Sequence, residues 1–176
     1  MALNYENFKK EIKSILDGKL DYPKNGIIAG ERWFAAIKNL FKGAEDFSKD
    51  KLAKSVGESA ALNLMKTAFI GSDPNLAALT IENACIVYWT LATFQLLIPA
   101  PGMAKESASV VTVPGTPASL AGPLAAIFLV PSPDTSAKAK QITDAFKAYA
   151  KTVMVVITGI SPPPPVTIVS PPTPIV

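Results

Sequence analysis

Asp73–Pro101 reads DPNLAALTIENACIVYWTLATFQLLIPAP, and the reading of this stretch decides the fold. Ser72 or Asp73 is a good helix N-cap, and Pro74 suits a first turn, where its missing N–H leaves nothing unpaired. Glu82 is the last charge before Lys105. At helical spacing Ile81, Cys85, Tyr88, Ala92 and Leu96 share one face, while Ile86, Val87, Trp89, Leu91 and Phe94 fill the rest. A helix apolar on nearly every side is wrapped by protein or set in lipid. Pro99 and Pro101 stop it. The reading predicts one helix over 73–98, roughly 39 Å long.

Both environments are open on length alone, because the charge-free run from Asn83 to Ala104 could span a bilayer. Asn83, Thr90, Thr93, Gln95 and the prolines dilute it, and no Lys/Arg cluster flanks it. The sequence favours a buried helix over a spanning one.

Working outward, charge is unevenly spread. Residues 1–72 hold 12 of the 17 basic and 9 of the 14 acidic side chains, leaving 5 of each for 73–176. So little charge in the second part implies surface covered by partners. The lysines of NFKKEIK and SKDKLAK alternate with acids and read as solvated helix faces, and Arg32 is the only arginine. Specific nucleic-acid binding is not expected from so weak a basic footprint. With no histidine and a single cysteine, Cys85, the usual zinc sites, Ser/His and Cys/His pairs and intrachain disulfides are excluded. Cys85 reads as a small core hydrophobe. The charged amphipathic start, MALNYENFKKEIK, is no secretory signal, so synthesis in a cytoplasm is the expectation.

Three helices are predicted before the central one. The first covers 5–17, with Phe8, Ile12, Ile15 and Leu16 inward and Gly18 as cap. The second covers 28–42, carrying Trp33, Phe34, Ile37, Leu40 and Phe41. The third covers 47–69, with Leu52, Val56, Leu62, Met65 and Phe69 inward and a soft point at Gly57. Short turns favour antiparallel packing around the central helix. Beyond Pro101, Val110, Val111 and Val113 read as a short strand stopped by Pro114-Gly115. An apolar helix follows over 118–130, and a last one from Asp134-Thr135 to about Val156. The predicted fold is therefore mainly α: a single helical domain over 1–159, built around 73–98, with one short strand and an extended Pro-rich arm over 160–176.

The arm has seven prolines in its last fifteen residues and no charge. Pro162 to Pro165 predict a polyproline rod, and Val166 to Val169 a strand. Alternation of proline with Val and Ile argues that the arm lies on something, either its own domain or a neighbouring subunit by strand addition. Val166, Ile168, Val169, Ile175 and Val176 are the candidate interface residues.

Catalytic signatures are missing: there is no GxGxxG, GxxxxGK[ST] or HExxH. Glu45, Asp46 and Asp50 sit beside lysines and read as surface. Glu82 adjoins an apolar segment, where desolvation would raise its pKa, but reads as the solvated end of its helix. An enzyme is not expected, and no cofactor or metal site is predicted.

In the second part, Tyr88-Trp89 is followed by a Pro-rich break, VTVPGTP over Val111–Pro117, a small apolar helix, an Ala/Lys helix, a Thr/Val-rich segment over Thr152–Thr158 and PPPP. This order over roughly residues 80–176 resembles small virion structural proteins of contractile-tailed bacteriophages. The resemblance implies a multi-copy virion part in the tail, neck or capsid periphery, made in the host cytoplasm, with copies of itself and neighbouring virion proteins as partners. It carries no functional residue with it. The other reading is a membrane-associated helical protein that places 83–101 or 107–133 in lipid.

Overall fold

A computed structural model describes residues 3–17, 23–131 and 134–176; the expected cap at Gly18 lies outside them. Six helices and six strands are present among the described residues. Helix α1 spans Tyr5–Leu16 and α2 Gly26–Phe41, followed by β1 at Leu52–Lys54, α3 at Glu58–Thr67 and α4 at Pro74–Trp89. Then come β2 at Thr93–Phe94, β3 at Lys105–Pro114, α5 at Ala121–Leu129 and α6 at Thr135–Ala150. Strands β4 at Val153–Ile160, β5 at Thr167–Val169 and β6 at Thr173–Pro174 complete the chain.

Helix starts follow local chemistry. Asn4, Asn25, Asp73 and Asp134 each accept a backbone N–H of the first turn, at 2.9 Å for Asn7, Ile28 and Asn75 and 2.8 Å for Ser136, the N-cap interaction that Asn and Asp favour. Each helix packs on the next in sequence, and α6 returns to α1. Phe8, Phe41, Trp89 and Phe146 meet at the centre: Phe8 and Phe146 have ring centroids 4.9 Å apart, Phe41 and Trp89 4.8 Å. Gly30 lets α2 lie against the end of α3, since a β-carbon there would collide with the Met65 carbonyl.

The sheet is antiparallel, in the order β1-β2-β3-β4-β5, with β6 sharing the free side of β4. Along β4, Val153, Val155 and Ile157 are fully buried and the residues between them half-buried. That period of two seats one face of the strand on the helical core.

The mainly helical bundle is thus corrected to a mixed fold in which a six-stranded sheet packs on a ring of helices. The central helix does not reach Ile98. Thr90 ends it, its hydroxyl donating back to the Ile86 carbonyl at 2.8 Å, and Leu91 turns into the left-handed region at φ +56°. Such a φ costs a β-carbon-bearing residue roughly 1–2 kcal/mol. Here it frees Thr93-Phe94 to pair between β1 and β3, a long-range gain that helical periodicity does not register. Ile81, Cys85, Tyr88, Trp89, Ala92 and Phe94 are buried, but Leu91 and Leu96 are exposed. The last helix stops at Ala150 because the β-branched run Val153–Ile160 pairs with β3. The third begins at Glu58, leaving 45–54 as a tight turn and an edge strand. Among the described residues no helix is long and apolar enough to cross a membrane.

Beyond the exposed connection over 162–165, the proline-rich segment returns to the chain's own sheet. Strands β5 and β6 pair with β4, Ile175 is buried, and Val176 exchanges backbone hydrogen bonds with Glu45, each 3.0 Å.

Candidate functional site

Three carboxylates that read as surface or went unremarked in the sequence are brought together under the loop following β2. Asp46 and Asp50 come from the turn before β1, Glu106 from the start of β3, and all three are buried. One oxygen of each lies within 4.8 Å of the other two.

The turn is built around Asp46. Its Oδ1 accepts the N–H groups of Ser48 and Asp50 at 2.9 and 3.0 Å, the local side-chain-to-backbone bonding that lets Asp organise turns. Lys49 sits at φ +73°, and a Glu45–Lys51 bridge closes the base. Asp46 Oδ2 reaches across to the Ser109 hydroxyl on β3, 2.7 Å away. Asp50 Oδ2 accepts from Leu97 N at 2.9 Å and Ile98 N at 3.1 Å. Glu106 Oε1 accepts from Ala100 N at 2.7 Å and the Ser48 hydroxyl at 3.2 Å. The cluster therefore holds the backbone of 97–100, and the Leu96, Leu97 and Ile98 side chains point outward, Leu97 being 73% exposed.

No ion pair among the described residues reaches these carboxylates. Burial raises the Asp46 pKa against the pull of Ser109 and the Asp50 and Ser48 amides, and the charge of Asp50 adds to the rise. Burial likewise raises Glu106, opposed by the Ala100 amide and Ser48 hydroxyl and reinforced by Asp46 and Asp50. Desolvation and like charge both favour a proton or a cation here over bare negative charge. Glu106 Oε2 is buried and has no hydrogen-bond partner. Glu106 also lines a cavity of about 340 Å³ with Leu96, Lys105, Ser107 and Ile160.

Glu82, expected at a solvated helix end, is instead buried inside α4. Its Oε2 accepts from Ala118 N at 2.9 Å and its Oε1 from Leu120 N at 2.8 Å, capping the entry to α5 across the helix interface. Cys85, one turn further along α4, is buried; burial, and secondarily the Glu82 charge, push its thiol pKa up.

The candidate interface residues fall on two sides. Val166, Val169 and Val176 are exposed, Ile168 is half-buried, and Ile175 faces the core. Thr167 pairs with Ile160, which shares a cavity wall with Leu96. One signal in the sequence could have located the acidic site: Asp46-x-Ser48-x-Asp50 puts oxygen donors at every second residue. The interleaved Lys49 and the following Lys51 masked it.

Comparison with protein-family models, with curated proteins and with solved structures finds no match to this chain.

Proposed function

We propose that the protein is a non-enzymatic structural subunit that assembles with copies of itself and with neighbouring subunits of a larger particle, of the bacteriophage virion type. The observation that carries the assembly reading is the exposed apolar rim of Leu96, Leu97, Ile98, Ile160, Val166 and Val169. Leu96, Leu97 and Ile98 belong to a loop whose backbone is fixed by buried carboxylates, Ile160 ends β4, and Val166 and Val169 lie beside and on the edge strand β5. Rigid apolar side chains lose little entropy on docking, and each large one fully buried contributes roughly 1.5–3 kcal/mol. The order of elements in residues 80–176 supports the virion reading.

Sedimentation velocity of the purified chain tests the self-association. Oligomers that fall to monomer in Leu97→Asp, with the thermal midpoint unchanged, are expected. A wild-type protein that stays monomeric at high micromolar concentration would overturn it.

A further inference from the structure

We propose that Asp46, Asp50 and Glu106 form a binding site for one hard divalent cation, with calcium as the ion the donors fit best. The site is independent of whether the rim above it docks to anything.

Two observations meet here. The first is the donor set, three carboxylates with one oxygen each within 4.8 Å of the others. A point central to three such oxygens is at most about 2.8 Å from each (4.8 Å divided by √3), and small carboxylate rotations close that to the roughly 2.3–2.6 Å of a calcium shell. The second is separate from the clustering. Glu106 is 5% exposed, yet its Oε2 has no partner, although a buried carboxylate oxygen is costly to leave unpaired. Its other oxygen is held by Ala100 N and Ser48 Oγ, which fixes the carboxylate facing Asp46 and Asp50.

The surroundings have the other features of a metal site. Backbone amides and hydroxyls fix the ligands: Asp46 by Ser48, Asp50 and Ser109, Asp50 by Leu97 and Ile98. Such supporting bonds orient carboxylates for a metal. Since no ion pair among the described residues offsets the three acids, a divalent ion would neutralise most of the charge. All-oxygen donors exclude a preference for zinc or copper. Magnesium demands a tighter octahedron and keeps more of its water, so the wider spacing favours calcium.

Isothermal titration of the chelator-treated protein with calcium chloride tests this, with magnesium and manganese chlorides alongside. One calcium per chain is expected, binding more tightly than magnesium. Glu106→Gln keeps the oxygen that accepts from Ala100, so it should fold with an unchanged circular dichroism spectrum and bind calcium at least about tenfold more weakly. Asp50→Asn, which keeps an acceptor for Leu97 and Ile98, should weaken binding similarly. If the folded wild-type protein takes up none of the three cations at millimolar concentration, the cluster holds only protons and the proposal is overturned. Equal calcium affinity in wild type and both variants would also overturn it.

Discussion

Asp50 Oδ2 accepts the Leu97 N–H at 2.9 Å across 47 residues of chain. It accepts the Ile98 N–H as well, so one buried carboxylate fixes the loop that carries Leu97, whose side chain is largely exposed. Asp50→Ala would leave two part-buried N–H groups without an acceptor, at about 1–3 kcal/mol for each group left unpaired. Urea denaturation should show a loss of roughly 2–6 kcal/mol for Asp50→Ala and a clearly smaller one for Asp50→Asn. Equal losses in the two would mean that the hydrogen bonds to Leu97 and Ile98 do not govern stability.

Glu82 plays the corresponding part between α4 and α5. Its two oxygens accept from Ala118 and Leu120, where the chain turns through Ala118 at φ +65°. Hydrogen bonds to a charged group contribute about 1.5–3 kcal/mol each. Glu82→Ala should therefore destabilise the protein more than Glu82→Gln, which retains one acceptor. Chemical denaturation of the two variants decides this, and a fully stable Glu82→Ala would count against the capping role.

How much of this was legible in the sequence depends on whether the cause is local. Asp73 and Pro74 announce the start of α4 within one turn, and Asp134 does the same for α6. The end of α4 is set by Thr93 meeting Val110 and Phe94 meeting Leu52, partners that no window around residue 90 contains. Val153–Ile160 could be read as helix because its apolar residues satisfy either period; pairing with Lys105–Pro114 makes it a strand. The acidic site was hidden for the same reason. Asp46 and Ser48 become buried only when β3 brings Ser109 and Glu106 to them, 63 and 58 residues away respectively.

Cys85 offers a probe of the core because it is the only thiol in the chain. It is buried beside Glu82, and burial pushes its pKa up, so both access and thiolate formation are suppressed. Reaction requires an opening of the helical core, whose free energy sets the rate. Labelling with a thiol–disulfide reagent at neutral pH should be more than about a hundredfold slower in buffer than in denaturant. Rapid native labelling would show that α4 does not pack as described.

The proline-rich residues separate stability from assembly, because neighbouring side chains face opposite ways. Ile175 is buried, its N–H donating to the Val153 carbonyl at 3.1 Å, whereas Val166 and Val169 are exposed on and beside β5. Ile175→Ala removes core volume and should cost about 2–5 kcal/mol, the range for truncating a large aliphatic side chain. Val169→Asp leaves the core untouched and adds a charge to the apolar rim. It should keep the wild-type thermal midpoint while shifting sedimentation toward the monomer, since an unpaired charge is costly to bury in an interface. Deleting 161–176 combines both effects: it removes β5, β6 and Ile175 and bares the β4 edge, inviting edge-to-edge aggregation. A Val169→Asp protein that assembles like wild type would move the interface away from β5. An Ile175→Ala protein with undiminished stability would mean that the arm adds nothing to the fold on which it lies.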